Sequence, residues 1–397
     1  MRPTTQRLLI AATQVLALAV WFSVSAVVPS LRHDLSFSDA AAVWLTGTVQ
    51  LGFVTGALTA TVLNLSDRMR PNVLLGISAV LAAACTAAVA QLTDGFTAIL
   101  VLRFLTGVFL AGVYPTGMKL MASWAPSAGR GAWMGVLIGA LTLGSALPHL
   151  IGGLVALPWR GVLLATAGIG IVGALLAFGL VRSGPHLASG PVRLHPRYAL
   201  SMFAERGPRL VNLGYFGHMW ELYALWTWIP VFVLHAPAVG EFNGREQVVV
   251  FIAMGVLGFA GCVAGGLAAD RFGRARAAGT ALAVSGTCCA LSPLAFTAPA
   301  PVLAVFCGVW GASVIADSGV FSTALSEVAD RRFVGTALSA QTAIGFGLTV
   351  ASIQFVAVLA AFTGWQYAFL LLVPGPLVGT IAMARFAKVA ATRPAGP

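Results

Sequence analysis

The chain has 397 residues, 58% of them hydrophobic and 9% charged, with a mean hydropathy of +0.91. A soluble domain carries roughly 25% charged residues and has no interior large enough for so much apolar surface, so the composition argues for a membrane protein and against a soluble enzyme or binding module. The formal charge of +11 would suggest nucleic acid on a soluble protein; on a membrane protein it is first tested against topology.

A membrane-crossing helix needs about 20 apolar residues. Runs of that kind fall at 8–31, 42–63, 72–92, 96–120, 131–156, 161–182, 209–235, 247–269, 277–297, 302–326, 334–362 and 366–387. They are too long and too uniformly apolar for barrel strands. The first follows Arg2 and Arg7 and exceeds the 7–15 residues of a signal-peptide core, so it is expected to stay as the first of twelve spans. Span 4 carries Arg103 and Tyr114, and span 5 carries Gly131, Gly135, Gly139, Gly144, Gly152 and Gly153 with Pro148-His149. Residues 183–208, rich in Pro, Gly, Arg and His, form the one long connection. Span 7 brings His218 and Glu221 among Tyr215, Phe216, Trp220, Tyr223, Trp226 and Trp228; span 10 brings Asp317 among serines and glycines. The five cysteines all lie in apolar runs without metal-ligand spacing, so neither a disulfide nor a metal is expected.

With the N-terminus inside, nineteen of the 23 Lys and Arg residues fall on the inner side. Arg32, Arg160 and Arg245 fall outside, and Arg103 lies within the membrane. This positive-inside asymmetry accounts for the charge and places both termini in the cytoplasm of a bacterial inner membrane, with no nucleic-acid partner. The chain also repeats at an offset of about 204 residues. Asp67-Arg68-Met69-Arg70 answers Asp270-Arg271-Phe272-Gly273-Arg274, Gly131 answers Gly335, and Trp159-Arg160 answers Trp365-Gln366. The expected organisation is therefore two six-helix bundles, 1–182 and 209–397, joined by the cytoplasmic loop 183–208. Parallel six-helix repeats around a midplane site are a transporter architecture.

The stretch Gly266-Leu267-Ala268-Ala269-Asp270-Arg271-Phe272-Gly273-Arg274 resembles the loop motif of the major facilitator superfamily, and Arg103-Phe104-Leu105-Thr106-Gly107 resembles its R-x-x-x-G motif. The first-half loop is degenerate, with Asn64 and Pro71 at positions the family fills with glycine and a basic residue. The resemblance implies an all-α integral membrane fold of twelve helices, alternating access, and a cavity lined mainly by spans 1, 4, 7 and 10. It further implies conformational locks at Asp67, Arg68, Gly266, Asp270, Arg271, Gly273 and Arg274. Span 5 looks like the antiporter motif of efflux members, except that Leu147-Pro148-His149 replaces the usual Gly-Pro; close helix packing is the other reading of its glycines.

Ionisable groups at bilayer depth are costly and so mark function or a specific structural pairing. Arg103, Tyr114, His149, His218, Trp220, Glu221, Tyr223 and Asp317 are the candidates for a solute and proton pathway. Each has a plainer reading. Arg103 can hold helix carbonyls or a carboxylate, His149 can cap a helix end near water, and Asp317 can be a packing hydrogen bond. Glu221, near the midplane with His218 one turn away, is the expected proton carrier, with Asp317 second. The function read from these residues is proton-coupled transport of a small solute by a monomer in the lipid bilayer. A nitrate/nitrite-type anion porter and an efflux antiporter remain alternatives, although spans 2 and 8 lack the arginines of the former. There is no nucleotide-binding P-loop, metalloprotease motif or serine-nucleophile elbow, so no enzyme and no cofactor is expected.

Overall fold

A computed structural model describes residues 2–63, 65–92, 95–125, 129–155, 157–187, 196–330 and 332–391. Among them, every regular element is helical. Twelve helices run back and forth: α1 (Pro3–Val20, then Ser25–Leu35), α2 (Asp39–Val62), α3 (Pro71–Leu92), α4 (Phe96–Trp124), α5 (Arg130–Leu154), α6 (Trp159–Gly179), α7 (Arg206–His235), α8 (Glu246–Phe272), α9 (Arg274–Phe296), α10 (Ala300–Val328), α11 (Val334–Thr363) and α12 (Trp365–Val389). Ten are long and apolar enough to cross a membrane, and the bent pair forming α1 makes an eleventh. The twelfth, α7, has the length, 30 residues; its His218, Glu221 and polar-tipped aromatics hold its hydropathy below the same measure. An even number of crossings puts both termini on one face, called here the terminal face, opposite a distal face.

α1–α6 and α7–α12 form the two six-helix bundles. Within the first, α3 packs on α4 and α6, and α2 on α4; within the second, α12 packs on α7 and α9. The bundles meet along two seams, α5 against α8 and α2 against α11. At the first seam a Cβ on Gly135 would meet the Cys262 backbone. The α5 glycines are thus what allow the two helices to touch. Leu294, Val305 and Phe362 are exposed on the outer surface, as side chains facing lipid are.

Two spans expected as single runs are interrupted. α1 bends by 47° between its segments, where Arg103 donates to the Val20 carbonyl at 3.2 Å and to that of Trp21. The interruption strips these carbonyls of their helical partners, and a cation at a helix C-terminus opposes the partial negative charge there. α10 breaks at Ala316-Asp317. By contrast, Pro115, Pro148, Pro230 and Pro293 lie inside continuous helices.

The central connection ends in a helix docked on the second bundle. Residues Pro196–Ser201 form a short helix on which the Tyr198 hydroxyl accepts the Asp330 backbone N–H at 2.8 Å, and its ring packs on Phe333 at 5.1 Å. Residues 188–195, including Arg193, and the side chain of Asp67 lie outside the described set.

Candidate functional site

Between the bundles lies a cavity of about 50 Å³. Tyr114 and Met118 of α4 and Leu141 of α5 line it from the first bundle; Tyr215, His218 and Tyr223 of α7, Ser318 and Ser322 of α10, and Thr342 of α11 line it from the second. Ligand pockets usually measure roughly 300–1,000 Å³, so the cavity as it stands is smaller than a typical solute site.

The break in α10 supplies the chemistry. Asp317 occupies the N-cap position of the segment Ser318–Val328 but makes no cap hydrogen bond, although capping is what aspartate ordinarily does there. Its carboxylate turns instead to α7, where Oδ1 lies 2.8 Å from His218 Nδ1. The other ring nitrogen, His218 Nε2, is 2.8 Å from Ser318 Oγ. Both ionisable side chains are 1% exposed. The cluster can hold one proton or two, and its imidazole faces the cavity.

The remaining predicted residues lie elsewhere. Glu221 is fully buried inside the second bundle, accepting from Trp310 Nε1 at 2.7 Å, Ser285 Oγ at 2.8 Å and Cys289 Sγ at 3.2 Å. Three donors on one carboxyl group, with no lining position in the cavity, describe a tie among α7, α9 and α10. Trp220 donates to the Leu371 carbonyl of α12 at 3.1 Å, and Arg103 serves the α1 break. His149 Nδ1 is 2.6 Å from Gln247 Oε1, joining α5 to α8 at the distal face. The structure thus brings together Tyr114, His218, Tyr223 and Asp317, and leaves Arg103, His149, Trp220 and Glu221 apart from them. Sequence reasoning missed Tyr215 and Thr342 as lining residues and took Ser318 only as a small neighbour of Asp317. The α10 break that turns Ser318 toward His218 has no local proline to announce it.

The loop motif has a specific geometry. Asp270 Oδ2 accepts the Ala132 backbone N–H at 3.2 Å, so a carboxylate from the second bundle caps the N-terminus of α5 in the first. Arg274 holds the same carboxylate at 3.1 Å and reaches Glu327 of α10 at 3.3 Å. Gly131 is required at this contact, because a Cβ there would run into the Asp270 carboxylate. Gly273 takes φ +88° between α8 and α9, where a side chain would be strained. Arg271 lies over the Phe272 ring. Gly266 backs onto Gly131, and Arg68 ends a short helix, Leu65–Arg68.

Comparisons with known proteins agree with this architecture. The family model described as Major Facilitator Superfamily matches residues 10–353. The hexuronate transporter of Bacillus subtilis is 24% identical over 258 residues, covering 62% of this chain and 60% of that protein. The D-galactonate transporter of Escherichia coli O6:H1 is 28% identical over 213 residues, covering 46% and 49%. The chain spans about half the length of the curated relatives it matches. Among solved structures, the human organic anion transporter MFSD10 superposes with a TM-score of 0.74 at 15% identity, covering 96% of this chain and 100% of that one.

Proposed function

Because the chain belongs to the major facilitator superfamily, we propose that it carries a small organic anion across a bacterial inner membrane together with protons, by alternating access. The observation that carries this reading is the His218–Asp317–Ser318 cluster against the cavity between the bundles. When both are ionised, imidazolium and carboxylate satisfy each other. Protonating Asp317 removes the carboxylate charge and leaves the imidazolium, with Ser318, to receive a solute carboxylate. One proton and one anion then load together, which is the requirement for symport. The names of the relatives, hexuronate and D-galactonate transporters, support the anionic class of solute.

The two seams supply the gates. Asp270 on the α5 N-terminus closes the terminal face, and His149 with Gln247 closes the distal face. Releasing one pair while keeping the other lets the bundles, taken as 1–182 and 209–397, rock about the cavity. The terminal face is cytoplasmic in this reading, as the distribution of basic residues requires.

The test is transport in proteoliposomes with D-galactonate and D-glucuronate as solutes. An inwardly directed proton gradient is expected to drive accumulation by the wild type. Asp317→Asn is expected to abolish that accumulation while retaining solute counterflow. Accumulation by Asp317→Asn with wild-type pH dependence overturns the assignment.

A further inference from the structure

Next to the cavity lies a layer of six aromatic rings drawn from both bundles: Trp21 and Phe22 of α1, Phe53 of α2, Tyr223 and Trp226 of α7, and Phe346 of α11. Phe53 stacks on Phe346 at 4.3 Å across the α2–α11 seam. Trp21 lies 5.1 Å from Phe53 and 5.9 Å from Tyr223, and Phe22 lies 5.4 Å from Trp226. Tyr223 and Phe346 also line the cavity, so the layer and the cavity are continuous.

The layer is unusual in its polar atoms. Trp21 Nε1, Trp226 Nε1, both side-chain amide atoms of Gln50, and Gln354 Nε2 are buried without a hydrogen-bond partner. Gln50 is 0% exposed. It lies three residues from Gly47 and three from Phe53, the same helix face. Gly47 is next to Gln354 of α11, and Phe53 stacks on α11, so Gln50 faces that seam. Several of the same residue types elsewhere are satisfied, although Gln14 Oε1 also lacks a partner. Trp159, Trp220, Trp228 and Trp310 each donate to an acceptor, and Gln6 and Gln341 make their hydrogen bonds. Buried polar atoms without partners are rare in folded proteins and each calls for an explanation. Here five such atoms share one aromatic layer between the bundles.

We infer that Trp21, Gln50, Trp226 and Gln354 are specificity-determining residues that recognise the hydroxyl groups of a polyhydroxylated acid. This deepens the proposed function and rests on it. The aromatic faces suit the C–H surface of a sugar-acid chain. The orphaned indole and amide N–H groups offer donors to hydroxyl oxygens, and Gln50 Oε1 accepts a hydroxyl hydrogen. Arg103, the ionised group that reaches the layer, is engaged with the Val20 and Trp21 carbonyls, so the solute carboxylate lies on the far side of Tyr223, at His218 and Ser318. The site is bipolar: charge recognition at α7–α10 and hydroxyl recognition at α1–α2–α7–α11.

The probes are D-galactonate and hexanoate, which share a carboxylate and a six-carbon chain but differ in hydroxyl groups. A site built to hydrogen-bond hydroxyls discriminates strongly against an analogue lacking them. Wild-type protein in nanodiscs is expected to bind D-galactonate at least ~10-fold tighter than hexanoate. Trp226→Phe, which keeps an aromatic ring while removing the N–H with the rest of the five-membered ring, and Gln50→Leu are expected to weaken D-galactonate binding and leave hexanoate binding within about 2-fold, collapsing the discrimination. Equal wild-type affinity for the two probes overturns the inference without any variant, so a misfolded variant cannot rescue it. Unchanged discrimination in well-folded variants also overturns it. Proton-driven transport of both probes without preference would overturn hydroxyl recognition alone. Failure to move either would remove the proposed function with it.

Discussion

Arg103 and Glu221 are both fully buried ionisable groups, and neither lines the cavity. The Arg103 guanidinium holds the carbonyls of Val20 and Trp21 where α1 bends. A hydrogen bond to a charged group contributes about 1.5–3 kcal/mol, so Arg103→Leu is expected to lower the melting temperature in detergent by several degrees. Arg103→Lys should recover only part of the loss, since a point charge cannot span two carbonyls as a planar fork does. Glu221→Gln turns an acceptor-only group into one with an N–H₂ that faces donors from Ser285, Cys289 and Trp310. The expected outcome is a lower melting temperature with proton-driven accumulation retained; loss of accumulation in a normally melting variant would return Glu221 to the proton pathway. Outside the membrane, Asp330 is held to about 2 by hydrogen bonds from the Arg332 side chain and backbone. A lowered carboxylate contributes above its ordinary range and is lost only as pH falls through about 2. Asp330→Asn is therefore expected to leave the transport profile between about pH 5 and 8 unshifted. At this scale the sequence identified which residues are chemically costly in a membrane, and it offered the carbonyl reading of Arg103. It could not rank Glu221 against Asp317, because that depends on Ser285, Cys289 and Trp310, which lie 64, 68 and 89 residues away.

The α5–α8 crossing is the element on which the two bundles depend most visibly. Its glycine spacing is legible as a close-packing pattern, and the structure gives the contact it serves, Gly135 against Cys262. Gly135→Val is expected to abolish transport, measured as counterflow, because backbone rather than a movable side chain opposes the added atoms. Asp270→Asn weakens the cap on α5 without touching the solute cavity. The expected result is slower turnover with solute affinity within a few fold of wild type; a folded Asp270→Asn variant that binds no solute would assign this loop to binding instead. Helix existence and order were legible from apolar run length alone. The breaks in α1 and α10 were not, since no proline marks either one and both involve groups on other helices. Those two breaks carry Trp21 and Asp317, and so the least legible backbone features position the candidate site.

At the scale of the whole molecule, the internal repeat and the basic residues predicted two bundles and a sidedness before any contact was known. The twelve helices and the two bundles are present, and sidedness is open to direct measurement. A cysteine replacing Ser189, in the connection between bundles, is expected to react with a membrane-impermeant maleimide only in inside-out vesicles. Reaction in intact cells would invert the orientation. The contacts of Asp270 and of His149 with Gln247 were not readable, because each pairs a residue of one half with a residue about 100 or more positions away.

The Tyr198–Asp330 hydrogen bond attaches the end of the central connection to the second bundle. The helix Pro196–Ser201 is therefore docked on the second half, inside the stretch 183–208 that the sequence assigns to the linker. Two fragments co-expressed from separate start codons, 1–187 and 196–397, should assemble into a working pair through the seams alone. A second fragment starting at residue 209 would lack its strap and should assemble with lower yield. Complementation by fragments thus becomes a measure of where one half of the protein ends and the other begins.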